Sequence, residues 1–467
     1  MSESTTPRVL ALPASPRWLP PVLAALALSV LGWFDADHPI ALAVLGAIGL
    51  AGFGLALRSM PVLLFWACPV LVTWARYLPL LPYEALILLL GLPLLGTSLT
   101  RLFERLPRLD PVQWRYALFL LLLLPGATGV ESWWRYAGQL KMFAVGWLAF
   151  ELTRRAVPRF GREALLWGPA LFCAATFLQL VITMVLSGVP MFKSVELRTT
   201  VSDLGWMRAN GIPSTMLLCA PAMLLLVRLT PPRSWRRAAA LAALVSPFVA
   251  SLFVAARGPF LLAAGYLIVV AVRIRRSWWL GLPVALLLLS PLLWTPMGQG
   301  LIERFTDLHA FESVLFRFNS WGVAWQRGAS HLPWGLGAGQ GIIQNDKLLD
   351  EDPHNFALTL FSEDGPLATL AWFWMMWVLW RAAGRMRSAG EARAAGTALR
   401  GTLALGLLNA MFDPTLKGNQ MYHLFWWNLG LLEAGFLRVG PGVPGVSRAA
   451  SPNPAAPPPP ARPTGGS

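Results

Sequence analysis

Charged residues are scarce in this chain: 13% of its 467 residues are Asp, Glu, Lys or Arg, whereas 56% are hydrophobic. With a mean hydropathy of +0.55, the composition is too apolar for a soluble globular protein of this length. Cysteine is scarcer still, and Cys68, Cys173 and Cys219 all lie within hydrophobic runs. Single thiols in such runs are usually small buried apolar groups, which argues against a disulfide framework or a cysteine-rich metal site. The sequence therefore predicts a polytopic membrane protein.

Fourteen hydrophobic runs approach the length that a helix needs to cross a bilayer. They cover residues 17–34, 39–57, 61–78, 84–99, 116–130, 136–152, 164–187, 211–229, 238–255, 259–272, 278–295, 365–380, 397–412 and 422–437. Several are short or contain proline, so we predict an all-α polytopic membrane protein with 12–14 transmembrane helices. One long, partly helical polar loop precedes the last three spans.

The arginines are concentrated in alternate loops. If the N-terminus is cytoplasmic, the inner loops contain the basic stretches 101–115, 154–162, 228–237, 273–276 and 381–400, and acidic residues outnumber basic ones on the outer side. Such a bias is what the positive-inside rule expects. The net charge of +15 then reflects membrane topology and does not indicate a nucleic-acid partner. Function is expected on the outer face.

Five stretches of the chain are expected to differ in character. The predicted division is a cytoplasmic N-terminal tail at 1–16, a transmembrane bundle at 17–295, the outer loop at 296–363, the C-terminal transmembrane helices at 364–438 and a tail at 439–467. The first span is expected to be retained, because no small-residue cleavage pattern follows it. The last stretch is rich in proline and is expected to be disordered in the cytoplasm.

The outer loop ends in the polar run Asp350-Glu351-Asp352-Pro353-His354-Asn355. An ionisable histidine where a polar loop returns to the membrane is a natural place for chemistry, although a structural role for His354 is equally open. We expect His354 to cap the next helix at the membrane surface. The carboxylates at 350–352 could bind a divalent ion through their oxygens, but adjacent residues rarely converge on one ion, and a solvated acidic loop is favoured.

A glycine run, Gly335-Leu336-Gly337-Ala338-Gly339-Gln340-Gly341, lies earlier in the same loop. Its spacing does not complete the Gly-x-Gly-x-x-Gly pattern of nucleotide-binding folds, and the strand–turn–helix context of that pattern is not evident. We therefore interpret the run as a turn.

Cations near the outer face have two interpretations. Arg208 directly precedes a span, Arg257 lies in a very short turn between two spans, and Arg135 and Lys141 lie within a span. The structural interpretation is that Arg135 and Lys141 pair with acidic residues such as Glu84 or Glu131, because an unpaired cation in a membrane helix is costly, and that the other two interact with lipid headgroups. The functional interpretation is a phosphate site, because arginine binds phosphate oxygens with a planar fork of donors.

Three motifs resemble those of the O-antigen ligase and polymerase superfamily of membrane glycosyltransferases. The first two are Arg208-Ala-Asn-Gly at the start of a span and Arg257-Gly-Pro between two spans. The third comprises Arg317, Trp321, Pro333, Gly335-Leu-Gly and His354-Asn355. In the ligases, His-Asn-x9-Gly-x-x is followed by Gly, Thr or Tyr; His354, Asn355 and Gly365 match, whereas Ala368 departs from the pattern. The resemblance covers roughly residues 188–437.

The resemblance implies a ligase that moves a preassembled glycan from undecaprenyl diphosphate to a sugar hydroxyl of lipid A–core. Such enzymes act in the bacterial inner membrane with the active site facing the periplasm, which would make the loop at 296–363 periplasmic. Neither a metal ion nor a cofactor is expected.

By similarity, His354 would be the catalytic general base, with a pKa suited to neutral pH. Arg208 and Arg257 would bind the donor diphosphate, with Arg317 as a third member. Direct attack on the anomeric carbon would invert that centre. Supporting roles are assigned to Arg135, Lys141, Asn355 and Glu363, and the reserve candidates for the base are Glu363 and Asp364.

Three alternatives remain open from the sequence. A polymerase of the same superfamily would join glycan to glycan, and a protein O-oligosaccharyltransferase would use a Ser or Thr side chain as the acceptor. A transporter of lipid-linked glycans would instead line a path with Arg135 and Lys141. Paired interrupted segments in two related halves are typical of transporters, and the sequence does not contain them.

Overall fold

The computed structural model describes residues 62–72, 84, 86–88, 110–130, 132–187, 211–274, 295, 299, 302–303, 305–306, 309–340, 353–386, 390–412, 414–417 and 419–434. These residues form α-helices, short 3₁₀ helices and turns, with no strand among them. The predicted spans at 17–34 and 39–57 and the tail at 439–467 lie outside the described residues.

The described α-helices are numbered here in chain order. They are α1 (Val62–Leu71), α2 (Pro111–Leu123), α3 (Trp133–Phe160), α4 (Arg162–Ser187), α5 (Gly211–Leu229), α6 (Trp235–Phe253), α7 (Arg257–Ile274), α8 (His309–Ser330), α9 (Phe356–Arg385), α10 (Glu391–Phe412) and α11 (Asn419–Glu433). Short 3₁₀ helices cover Leu124–Gly129 and Pro414–Lys417.

Three of these helices are long and apolar enough to cross a membrane. They are Arg162–Val185, Gly211–Leu229 and Trp235–Phe253, with mean hydropathies of 1.9, 1.8 and 1.3. The Gly211–Leu229 helix is the most enclosed, because 89% of its apolar window is buried inside the protein. The prediction of an all-helical protein with membrane-spanning helices is confirmed for the described residues by these three helices.

Local signals explain where several helices begin. At the start of α2, Asp110 Oδ1 accepts hydrogen bonds from the amides of Val112 (2.9 Å) and Gln113 (3.0 Å), and the Gln113 side chain accepts one from the Asp110 amide. This reciprocal capping box satisfies amides that the first helical turn leaves without partners. Ser234 caps α6 in a similar way through the Arg237 amide at 3.2 Å.

One end of the bundle is tied together by buried ion pairs centred on Arg154. Its side chain lies 2.6 Å from Glu433 of α11 and 3.3 Å from Glu151, and it also contacts Asp110 at the start of α2. Nearby, Arg162 donates to the carbonyl oxygens of Leu431 and Ala434 at the end of α11 and pairs with Glu391 at the start of α10. We call this the Arg154 end.

The opposite end of the bundle brings together the other termini of the same helices. Ser214 in the first turn of α5 donates to Asn409, close to the end of α10, at 3.4 Å. The turn at 230–234 reverses the chain from α5 into α6, so the turn at 254–256 and the start of α7 return to the end at which α5 begins. We call this the Glu363 end, after a buried residue described below.

Candidate functional site

Helix α9 begins two residues after the predicted catalytic histidine. The cap is Asn355, whose Oδ1 accepts a hydrogen bond from the Leu358 amide at 3.1 Å. The expectation that His354 itself caps the helix is therefore wrong: it lies one residue before the cap, in a left-handed backbone conformation with φ of +52°. That conformation is uncommon for a residue with a side chain, so the turn orients a half-buried imidazole at the helix start.

A break at Gly365 divides α9 into a short arm, residues 356–364, and a longer helix that continues from Pro366. Gly365 has φ of +79°, which favours glycine. A Cβ there would also overlap the carbonyl oxygen of Pro333. The nine residues between Asn355 and Gly365 are thus one helical arm with a cap at its start and a glycine break at its end. Ala368, where the motif departs from the ligase pattern, is fully buried.

The glycine run packs its backbone into the gap between this arm and the start of α3. A Cβ on Gly335 would lie 2.6 Å from the carbonyl oxygen of Glu363, and one on Gly339 would lie 2.6 Å from that of Arg135. A Cβ on Gly337 would lie 2.7 Å from the Gly126 carbonyl oxygen. Side chains at these positions would push the segments apart. Residues 335–339 are called the glycine turn below.

Amides of the glycine turn donate to the protein itself. The Leu336 amide donates to the Ser362 carbonyl at 2.9 Å, and the Gly337 amide donates to the Glu363 carbonyl at 2.7 Å. The Gly339 amide donates to the Glu363 carboxylate at 3.2 Å. These amides hold the arm in place and are not available to bind a phosphate, which confirms the interpretation of the run as a turn.

Glu363 is the buried centre of this end of the bundle, with 1% of its surface exposed. Its Oε1 pairs with Lys417 Nζ at 2.9 Å, and its Oε2 accepts the Gly339 amide. One side chain therefore joins the arm, the glycine turn and the Pro414–Lys417 segment. Because both of its oxygens have partners, Glu363 is better suited to positioning than to removing a proton.

Asp364 differs sharply from its neighbour. It is 3% exposed, and its two carboxylate oxygens have no hydrogen-bond partner among the described residues. Burying an ionised carboxylate without partners carries a large energetic penalty. The neutral form of the Asp364 carboxyl is therefore favoured at this position, directly after Glu363 at the end of the arm.

Helix α8 brings Arg317 to the same region as His354. The Trp321 indole donates to the carbonyl oxygen of Pro353 at 2.7 Å, directly before His354. Arg317 lies four residues before Trp321, so both project from the same face of α8. Arg317 is half-buried on the side of α8 that faces the arm.

Arg257 occupies the first position of α7, and three residues separate it from Phe253 at the end of α6. The connecting turn contains Ala255 with φ of +45°, and Arg257 is half-buried. The predicted position between two helices is confirmed, and it lies at the Glu363 end. A guanidinium beside a helix N-terminus favours an anion. Arg208 lies outside the described residues, which resume at Gly211 of α5.

The supporting cations have structural surroundings. Lys141 Nζ lies 2.7 Å from Glu84 Oε2, which confirms Glu84 as the partner proposed from the sequence; Glu131 lies outside the described residues. Arg135, in the first turn of α3, is exposed, and its carbonyl packs against Gly339. These contacts fit a bundle-stabilising role for Lys141 better than a lining role in a transport path.

Two residues at this end were missed from the sequence. Lys417 was not singled out, although a cation between two apolar runs on the predicted outer side was a usable signal. His423 is buried, and its Nε2 lies 2.9 Å from the Met142 carbonyl oxygen. Because a carbonyl only accepts, Nε2 carries the proton, and Nδ1 faces Glu84 at 3.9 Å.

Among the described residues, no group of three or more His, Cys, Asp or Glu side chains is placed to hold a metal ion. The acidic residues at 350–352 lie outside the described part of the chain. No protein-family model and no curated protein matches the chain. A function is therefore inferred from the chemistry of the Glu363 end, where a histidine lies at a helix start and arginines come from separate helices.

Proposed function

We propose that this protein is an O-antigen ligase of the bacterial inner membrane, with 12–14 transmembrane helices and its active site facing the periplasm. It would transfer a preassembled glycan from undecaprenyl diphosphate to a sugar hydroxyl of lipid A–core. One observation carries the proposal: His354 is fixed at the start of the arm, at the same end of the bundle as Arg257 and Arg317.

In the proposed reaction, His354 removes the proton from the acceptor hydroxyl, and the oxygen attacks the anomeric carbon of the donor. The bond between that carbon and the diphosphate oxygen breaks, which inverts the centre and releases undecaprenyl diphosphate. Negative charge grows on the leaving oxygen as the bond breaks. Fixed arginines stabilise such charge most when it develops in an apolar setting. Arg257 and Arg317 would have this role, with Arg208 as a third donor by resemblance.

The positioning of His354 is supported by the contacts of the arm. Asn355 starts the arm, Gly365 ends it, and Glu363 ties it to the glycine turn and to Lys417. A general base must lie within hydrogen-bond reach of the proton that it takes, so a rigid arm is a suitable support. Arg135 and Lys141 contribute by fixing the start of α3. The proposed chemistry uses neither a metal ion nor a cofactor.

The decisive experiment uses purified protein in nanodiscs with a polyprenyl-diphosphate glycan as donor. Core lipid, an acceptor peptide and a free glycan are supplied separately, and transfer is followed by gel shift. A shift of the core lipid supports the ligase. Transfer only to glycan identifies a polymerase, and transfer only to peptide identifies a protein O-oligosaccharyltransferase. Movement of the donor across the bilayer of sealed proteoliposomes, without transfer to any acceptor, identifies a transporter.

A further inference from the structure

We propose that α8 lies at the membrane surface and rests on lipid acyl chains through an apolar stripe formed by Leu315, Phe318 and Trp325. The stripe is solvent-exposed in the protein alone, with 60%, 56% and 58% of each side chain accessible. Residues spaced by three and seven positions share one face of a helix. Large apolar side chains exposed together on one face mark a site of contact with a partner or a membrane.

Most contacts between α8 and the arm come from a different side of the helix. Ser320 and Ala324 are buried there, and Trp321 donates to the Pro353 carbonyl. Gly328 also packs there, because a Cβ at this position would lie 2.5 Å from the ring of Phe361. These contacts fix the rotation of α8, so Leu315 and Phe318 cannot turn inward to be covered by the arm.

A third side of the helix, which adjoins the stripe at Leu315, is polar. Asn319, Gln326 and Ser330 are exposed on it, and the Ser330 hydroxyl donates to the Arg327 carbonyl at 2.9 Å. A helix with one packed side, one exposed apolar side and one exposed polar side matches the boundary between lipid and water, where each exposed side meets a suitable solvent.

Continuity with α9 identifies the apolar partner as lipid. The Trp325 ring stacks on Phe361 of the arm, with centroids 4.7 Å apart and planes 15° apart. Just beyond the break, α9 exposes further large apolar side chains, among them Leu367, Leu370 and Trp377. These side chains of a hydrophobic helix need lipid around them, and the stripe adjoins that surface.

Exposed tryptophans in other segments indicate the same membrane surface as α8. Trp133 and Trp134 are exposed at the start of α3, which is joined to the glycine turn by the paired hydrogen bonds of Ser132 and Gln340. Trp334 is exposed in the turn that follows α8. Tryptophan is enriched where the bilayer meets water, so several segments place this level at the membrane surface.

If α8 rests on the membrane, it would fix the distance of the arm and of His354 from the bilayer. Its packed face carries Arg317 and contacts Pro353, whereas its apolar stripe is held by lipid. A donor embedded in the bilayer and a base just before the arm would then meet at a constant depth. The placement of α8 itself rests on geometry alone and holds whether or not the chain is a ligase.

The test places one spin label at a time on the full chain in phosphatidylethanolamine and phosphatidylglycerol nanodiscs. Phe318→Cys and Trp325→Cys report on the stripe, and Asn319→Cys and Gln326→Cys are matched controls on the polar side of the same helix. The unmodified chain, whose Cys68, Cys173 and Cys219 are buried, gives the background labelling. Accessibility to oxygen, which concentrates in lipid, is compared with that to a water-soluble nickel chelate.

We expect the ratio of oxygen to nickel accessibility to be several-fold higher at the stripe than at the two polar positions. Equal ratios on both sides would overturn the proposal, because the stripe would then face water. Protection of the stripe from both reagents would also overturn it, since a protein surface rather than lipid would cover it. Trp325→Cys removes the ring that stacks on Phe361, so Phe318→Cys is the independent report on the stripe. Monodisperse elution of each variant verifies folding.

Discussion

Lys417 Nζ lies 2.9 Å from the buried carboxylate of Glu363, which joins two segments separated by 54 residues in the sequence. The pair forms near the end of the arm whose start carries His354, and the second oxygen of Glu363 accepts the Gly339 amide. Removing one member of a buried ion pair leaves the other charge without its partner, which is more damaging than losing a pair on the surface.

We therefore predict that Glu363→Ala destabilises the protein by about 3 kcal/mol, at the lower end for breaking a buried pair, because Lys417 keeps 22% of its side chain exposed. A double-mutant cycle with Lys417→Ala measures the coupling in thermal unfolding in detergent. The double variant should lose clearly less than the sum of the single losses. Additive losses would contradict a direct interaction.

Asp364→Asn provides a contrast in the adjacent residue. Its oxygens have no hydrogen-bond partner among the described residues, so removing the charge should leave the melting temperature unchanged or raise it. Glu363→Gln, the same change one residue earlier, should lower it. If His354 is the base, transfer activity survives in Asp364→Asn. A folded Asp364→Asn protein without activity would instead move the role of base to Asp364.

The break in α9 is tested by Gly365→Ala. The positive φ and the close Pro333 carbonyl leave no room for a methyl group, and alanine forced into this backbone region is destabilising by more than about 1 kcal/mol. Gly322→Ala in α8 is the matched control, because a Cβ there meets nothing within 4 Å and alanine favours a helix. We expect a lower melting temperature for Gly365→Ala than for the parental protein, and no decrease for Gly322→Ala. Equal melting temperatures of the two variants would contradict the close packing of Gly365 against Pro333.

The sequence predicted helices best where apolar runs are uninterrupted. The run at 211–229 coincides with α5, and the run at 164–187 differs from α4 by two residues at one end. The sequence predicted that α9 begins at residue 365, whereas it begins at Phe356. The arm contains Glu363 and Asp364 and therefore does not resemble part of a membrane span. Asn355 was a usable signal for the helix cap.

Long-range contacts at the Glu363 end could not be read from local patterns. The pairing of Glu363 with Lys417 and the insertion of the glycine turn beside Arg135 depend on how separate helices pack. The prediction of a turn at the glycines was right, whereas the reason for them, close backbone approach to the arm, appeared only in three dimensions.

Arg257 is tested by changes that separate charge from geometry. Arg257→Lys keeps the positive charge but loses the planar donor fork that binds two phosphate oxygens at once. We predict that Arg257→Ala abolishes glycan transfer and that Arg257→Lys lowers it at least tenfold. Arg233→Lys, in the exposed turn before α6 at the Arg154 end, is the matched control and should transfer at the parental rate. Full activity of Arg257→Ala would exclude Arg257 from donor binding.

His354 is tested against a second histidine of the same loop. His354→Ala should leave folded protein but reduce transfer by about a hundredfold to ten-thousandfold, the range expected when a general base is lost. His331→Ala is the control, because His331 is exposed at the end of α8 and its Nδ1 contacts only nearby groups, Ser330 at 3.0 Å and the Arg327 carbonyl at 2.9 Å. Initial rates are measured with donor glycan and core lipid in nanodiscs. Parental transfer by His354→Ala would remove this residue from the mechanism, and an equal loss in both variants would show that the effect comes from the loop as a whole.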